Sequence, residues 1–355
     1  MVFEPTAVAI VLALLMLGAM VATFALVLVL HWRNRTWENH RSALFVRWRP
    51  IVADFIYAEG SAKALCKASA SAPDYFLEYL VHLATMLRGA AFQRVQDAVV
   101  ESGMADYLEN SLQSHKPWKV SKAAHALFTL RIGIGRGRLR RLLRSPSEGV
   151  VFSSALALSR IGQDEDLPLL LEVLSEFSVT NQDLVSVVLL GYASDHPTTL
   201  LQYVKEHSVA DPALRSILYE IFGKLNLQGS VHLLREELRS PSCDECYLKA
   251  IRALGEMSAV EALEQLRPVL NSSDWRARAL AVWSVGRLKN FDDVPALSQR
   301  LYDESWAVRL NAATALLLME EPGREALEEA TLGPTFAGDI ARHALQYEEK
   351  AIPVM

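Results

Sequence analysis

The stretch Asp274-Trp-Arg-Ala-Arg-Ala-Leu-Ala-Val-Trp-Ser-Val-Gly286 decides the architecture, because a variant of it returns as Asp303-Glu-Ser-Trp-Ala-Val-Arg-Leu-Asn-Ala-Ala-Thr-Ala-Leu316. Both open on a polar turn and run on as an alanine-rich amphipathic segment. Similar corners end at Gly133, Gly162, Gly191, Gly223, Gly255 and Gly286, and a last one at Leu317. The intervals are 29, 29, 32, 32, 31 and 31 residues. Self-similarity at such a period marks a repeat architecture. Each unit reads as a polar turn, a short helix such as Leu169 to Phe177 or Ala296 to Tyr302, a second turn, and a longer helix such as Trp306 to Met319. Glycine is expected to close the longer helix as a left-handed C-cap. Neither helix can bury its apolar face alone, so neighbouring pairs must stack. The expected fold class is all-α, an α-solenoid of about seven helical hairpins over residues 118–345.

The N-terminus has a different character. Ala7 to Leu30 carries no charge and one polar residue, Thr23. At about 1.5 Å per residue it is long enough to cross a hydrocarbon core of about 30 Å. A cleaved signal peptide needs a basic start and a shorter apolar core, and here only Glu4 precedes the run. We therefore expect a transmembrane anchor over 1–31. Arg33, Arg35, Arg41, Arg47 and Arg49 follow it, opposed by Glu38 alone. Basic flanks stay in the cytoplasm, so the N-terminus is expected outside and the bulk of the chain cytoplasmic. Trp32 and Trp37 suit the interfacial aromatic belt. Residues 32–117 lack the period and read as a helical linker that caps the first repeat, with helices at Trp37 to Ala58, Asp74 to Arg88, Ala91 to Glu101 and Tyr107 to Leu112. Residues 346–355 form a tail.

The two quoted stretches resemble HEAT repeats, and the period of about 31 residues is similar to the short bacterial variety first known from bilin lyases. The resemblance covers about residues 118–345. It implies a ladder in which an aspartate in the turn stands six residues before an arginine. Asp303 and Arg309 match. Arg278 and Arg215 hold the arginine position, but Ser272 and Val209 stand where aspartate is expected, and Tyr247 replaces the arginine of the fifth unit. The ladder is thus expected to be patchy, with no clear structural role in the middle units. Arg47-Trp-Arg-Pro50 and Tyr79-Leu-Val-His-Leu-Ala-Thr-Met-Leu-Arg-Gly89 are similar to bacterial proteins with one N-terminal span, a helical segment and HEAT units. Several of those accompany membrane glycosyltransferases of surface-polysaccharide systems. The resemblance implies an inner-membrane protein with a protein partner and no catalysis of its own.

Composition excludes several classes. Of 355 residues 51% are hydrophobic and 22% charged, which excludes intrinsic disorder. Three cysteines do not make a disulfide scaffold. A net charge of −5 gives no general attraction to nucleic acid, and no nucleic-acid partner is expected. Cys243-Asp-Glu-Cys246 falls short of four zinc ligands, since Cys66 and His232 add too few; two small residues at a helix start are the simpler reading, with a thiol switch as the alternative. Gly133-Ile-Gly135-Arg-Gly137 follows a helical segment and reads as an inter-repeat turn. Asp164-Glu-Asp166 reads as a helix cap. HExxH, GxSxG and GxxxxGK[ST] are absent, the nine histidines are scattered, and the His-Glu pairs of iron-binding HEAT hydroxylases are missing. No catalytic residue, metal or cofactor is expected. A bilin-lyase-like ligation is the enzymatic alternative, and the anchor argues against it.

Two groups remain as candidate binding residues. Arg131, Arg136, Arg138, Arg140, Arg141 and Arg144 put six arginines in fourteen residues with no acid among them. The last five suit an anionic lipid surface or an acidic partner; a solvated helix face is the plain alternative. Trp275 and Trp306 share a repeat position, which suggests packing between units. Trp283 with Arg276, Arg287 and Arg309 suggests a ligand-facing ridge on the second helices, tryptophan and arginine being favoured at binding hot spots. Glu320-Glu321 and Glu328-Glu329 read as a solvated end.

Overall fold

The computed structural model describes residues 5–57, 60–207 and 209–351, with side chains left aside for residues 5–13, 34 and 347–351. Twenty α-helices and no strand occur among the described residues. They form two compact units that divide after Gly135. Residues 352–355 of the expected tail lie outside the described residues.

The first unit contains α1 (Pro5–Tyr57), α2 (Ala62–Ser71), α3 (Pro73–Met86), α4 (Gly89–Glu101), α5 (Met104–Leu112) and α6 (Pro117–Leu130). The apolar run and the helix expected from Trp37 are one continuous helix, because nothing between them stops it. Pro50 lies inside α1 without ending it. The second half of α1 is held by aromatic packing: Trp48, Val52 and Phe55 are buried. Trp48 meets Phe76 edge to face at 5.3 Å. The first half is the opposite. From Leu14 to Leu30 the apolar side chains are exposed on every side, and α1 is long and apolar enough to cross a membrane. A helix apolar all round belongs in a large core or a bilayer. Helix α2 was not foreseen, because its small side chains bury little beyond Leu65 and Ala68.

The second unit alternates shorter and longer helices. The first helices of its hairpins are α7 (Arg136–Leu142), α9 (Leu167–Phe177), α11 (Pro197–Glu206), α13 (Val231–Arg239), α15 (Leu263–Val269), α17 (Val294–Gln299) and α19 (Glu320–Thr331). The second helices are α8 (Glu148–Ile161), α10 (Gln182–Asp195), α12 (Pro212–Lys224), α14 (Asp244–Glu256), α16 (Trp275–Leu288), α18 (Trp306–Leu318) and α20 (Phe336–Ala351). Second helices pack on their successors: α12 on α14, α14 on α16 and α16 on α18. The pattern runs past Leu317 into α19 and α20, while the corner at Gly133 belongs to the first unit.

The repeated glycines do not do what their spacing suggests. Gly223, Gly255 and Gly286 lie inside α12, α14 and α16 and have no positive φ. In the second unit the left-handed residues are Asn226, Ser258, Lys289 and Glu320, with φ between 50° and 56°. They stand three positions after Gly223, Gly255, Gly286 and Leu317. The glycines instead let second helices touch. A Cβ on Gly255 would come within 2.8 Å of the Ser284 Cα, and one on Gly286 within 2.8 Å of the Ala315 Cα. Gly191 faces the preceding helix, toward Ser159, and so sits in a different register.

Candidate interaction surface

The arginine run is partly spent inside the stack. Asp166 ends the short turn before α9 and is buried. Its Oδ2 accepts from the Gln163 N–H at 2.9 Å and from Arg136 Nε at 2.7 Å. Arg140 lies 3.2 Å from its Oδ1. Arg136 also pairs with Glu165 at 2.8 Å. The hydrogen bond to Asp166, acting against burial, raises the Arg136 pKa above its ordinary value. The acid missing from the local sequence is thus supplied one repeat later. Arg141 turns back to the Gly137 carbonyl at 3.3 Å, and Arg144 is exposed. Arg138 is half-buried on the same short helix, and Arg131 belongs to the first unit. The five arginines therefore do not form one free cationic face. Asp166→Ala should lower unfolding free energy by about 1–3 kcal/mol, read by urea denaturation. Arg144→Ala should change it by no more than about 0.5 kcal/mol.

The gaps at Val209 and Ser272 close, because the arginines there bind backbone, while Tyr247 still interrupts the row. Arg215 Nε donates to the Val209 carbonyl at 3.0 Å. Arg278 Nη1 donates to the Ser272 carbonyl at 2.9 Å. Arg309 Nη1 donates to the Asp303 carbonyl at 2.7 Å and to that of Glu304 at 2.9 Å. Every residue has a carbonyl, so Val209 and Ser272 serve as well as aspartate. The Asp303 carboxylate reaches across units instead. It accepts from Arg278 Nε at 2.8 Å and Nη2 at 2.9 Å, and this pair is buried.

The four ridge candidates are not brought together. On α16, Arg276, Leu280, Trp283 and Arg287 recur at helical spacing along the side that the stack leaves open. Arg287 stacks on Trp283 at 5.1 Å and donates to the Gly255 carbonyl at 3.1 Å. Arg276 is tied to the Asp274 carboxylate at 2.9 Å. The same side of α14 carries Lys249 and Arg252, paired with Glu220 at 2.7 Å and Glu256 at 3.0 Å. Arg309 does not join this row, since it repeats Arg278 and turns toward its own loop.

Trp275 and Trp306 do not pack between units: they are 50% and 63% exposed. Each opens a second helix. Trp306 and Phe336 flank a 320 Å³ cleft with Arg309, Leu310, Asp339 and Ile340. The Arg309 guanidinium lies 5.4 Å from the Phe336 ring centre. This cleft was not foreseen, because Phe336 lies beyond the last recognised corner. Cys243 and Cys246 form a disulfide across the first turn of α14, where two unlinked small residues were the simpler expectation. Among the described residues no group of three His, Cys, Asp or Glu side chains is placed to hold a metal ion.

Residues 231–317 match the family described as HEAT repeats, which covers α13 to α18. No curated protein matches the chain. Among solved structures, an engineered protein is 19% identical, with 88% of this chain and 95% of that one covered and a TM-score of 0.40. Kap121p bound to Ste12p is 15% identical over 87% of this chain, with a TM-score of 0.47, and the chain spans 41% of its length. Human deoxyhypusine hydroxylase in complex with glycerol is 18% identical, with 87% and 98% covered and a TM-score of 0.29.

Proposed function

We propose that this chain is a membrane-anchored scaffold that holds a protein partner against its second helices. The observation that carries this reading is the open row Arg276, Leu280, Trp283 and Arg287, which pairs an aromatic-guanidinium stack with an apolar neighbour. Such a surface suits a segment with acidic side chains around an apolar anchor. Repeat stacks supply extended binding area without an active site. The apolar half of α1 would fix the protein in the bilayer, with the basic flank and the repeats on the cytoplasmic side of the inner membrane. Tethering limits the search to the membrane surface and raises effective concentration. The finer reading, a membrane glycosyltransferase of a polysaccharide system as partner, rests on resemblance of the segments around Arg47 and Tyr79.

The test is a photocrosslinking residue at position 283 or 287 of the full-length protein in native membranes. One dominant protein adduct is expected from both positions and none from Glu264, which is exposed on a first helix. Trp283→Ala should weaken retention of that partner by roughly 30-fold, as loss of a hot spot of about 2 kcal/mol does. Equal adducts from all three positions, or lipid adducts alone, would overturn the scaffold reading.

A further inference from the structure

The disulfide of the second unit sits where a dithiol can react rather than where a brace is needed. Cys243 and Cys246 are three residues apart and tie the first turn of α14 to itself. So short a loop constrains the unfolded chain least. The two sulfurs are unequal. Cys243 is half-buried and Cys246 is fully buried. Cys243 is the N-cap of α14, and its Sγ accepts from the Cys246 N–H at 2.9 Å. The free N–H groups and the dipole of a first helical turn stabilise negative charge on such a sulfur. Exposed Asp244 and Glu245 act against this, and the positive charge of Arg276 on α16 reaches both acids. Cys246 Sγ lies 3.3 Å from the Pro212 carbonyl oxygen of α12. A disulfide sulfur has no hydrogen to offer that oxygen, whereas a thiol donates to it. Each sulfur therefore has a partner ready for the reduced form.

The turn that carries the pair is fixed by other contacts. Glu237 of α13 is buried. Its carboxylate accepts from the Ser242 N–H at 2.6 Å, from the Ser242 hydroxyl at 2.8 Å and from the Tyr219 hydroxyl at 3.1 Å. These bonds hold the chain before Cys243 whether the S–S bond is open or closed. Two thiols kept within reach of each other react far more readily than two free ones.

We infer that Cys243 and Cys246 are a thiol–disulfide exchange site, with Cys243 as the accessible nucleophile, Cys246 as the resolving thiol and a low-molecular-weight thiol such as glutathione as co-reactant. The Cys243 thiolate attacks one sulfur of glutathione disulfide. That S–S bond breaks, a mixed disulfide forms at Cys243, and one glutathione leaves as a thiolate and takes up a proton. The Cys246 thiol gives its proton to water and attacks the Cys243 sulfur. The Cys243–Cys246 bond forms and the second glutathione leaves in the same way. Two electrons pass from the protein dithiol to glutathione disulfide, and excess glutathione runs both steps backward. The site stands whether or not the row on α16 holds a protein partner.

The test uses full-length protein in mild detergent, reduced and then freed of reductant. It is incubated with glutathione disulfide, quenched in acid and read by peptide mass spectrometry. Wild type should gain the Cys243–Cys246 disulfide and pass through the Cys243 adduct only transiently. Cys246→Ser should accumulate that adduct about tenfold over wild type, and Cys243→Ser should leave residue 246 unmodified. Serine accepts from the residue 246 N–H as an N-cap, and at 246 its hydroxyl can donate to the Pro212 carbonyl, so both variants retain the local bonds. Iodoacetamide capture in reduced wild type reads the same asymmetry without a variant, with Cys243 about tenfold ahead of Cys246. Equal capture of the two sulfurs, an adduct at Cys246 in Cys243→Ser, or a wild-type protein that gains no Cys243–Cys246 disulfide overturns the inference.

Discussion

Replacing Asp303 with asparagine should cost about 3 kcal/mol of unfolding free energy, the low end of the range for breaking a buried ion pair. The side chains of Asp303 and Arg278 are 4% and 8% exposed, and two parallel hydrogen bonds join them. Removing the carboxylate charge leaves the guanidinium in a site chosen for a pair. The loss stays at the low end because Arg278 keeps the Ser272 and Ser273 carbonyls and a 3.1 Å bond to Glu304. An asparagine oxygen can also keep the bond that Asp303 Oδ1 accepts from the Ser305 N–H at 2.9 Å. The pH dependence follows from the same contacts. Burial works against the Asp303 carboxylate, but bonds from Arg278 and the Ser305 N–H, with the charge of Arg300, outweigh it and hold the pKa below the ordinary value. A folded pKa below the unfolded one gives stabilisation that is complete above the unfolded value, near ~4, and is lost as pH falls through the folded value. The difference in urea midpoint between wild type and Asp303→Asn should therefore be constant from neutral pH down to about pH 5 and shrink below about pH 4. In the double variant Arg278→Met/Asp303→Asn most of the loss should return, since no buried charge remains. A midpoint difference that persists unchanged to pH 2 would mean that the carboxylate is not what holds Arg278.

That pair shows what could and could not be read from the chain. The repeat was legible because burial imposes it: alanine-rich second helices must recur wherever stacking recurs, and the intervals between Gly223, Gly255 and Gly286 record this. The all-α class and the long apolar helix were legible for the same reason. Partners across units were not, because the aspartate for Arg278 lies 25 residues away. A backbone carbonyl leaves no mark in sequence, so the bonds from Arg215 to Val209 and from Arg278 to Ser272 were read as gaps. Arg136 and Arg140 looked free for a like reason: their counter-ion, Asp166, had been read only as a cap. The tryptophans at 275 and 306 shared a repeat position, and periodicity alone does not say whether that position faces a neighbour or solvent. Trp283 and Arg287, two of the four ridge candidates, stand i,i+4 on α16 and their side chains stack, a contact not singled out at the level of sequence.

The glycines were misread because two physical demands place glycine near the end of a helix. One is a left-handed cap and the other is close approach of a second backbone. In this chain Ser258 and Lys289 take the left-handed positions, at a cost of about 1–2 kcal/mol each for a side chain there. That cost is tolerable at a solvent-facing cap, whereas a methyl group between packed helices has nowhere to go. The two readings of Gly286 predict different variants. If it were a cap, alanine would be penalised and asparagine tolerated. Since it lies inside α16, alanine would help an isolated helix by about 1 kcal/mol. In the stack its Cβ would meet Ala315, whose Cα is 2.8 Å away and belongs to backbone that cannot swing aside. Overpacking of this kind costs about 1–3 kcal/mol, and asparagine, which is larger, should cost more. Gly286→Ala should therefore destabilise, Gly286→Asn should destabilise further, and Gly286→Ala with Ala315→Gly should recover much of the loss. The recovery is the deciding measurement: a cap defect at position 286 is indifferent to residue 315, and only a contact between the two helices makes the substitutions non-additive.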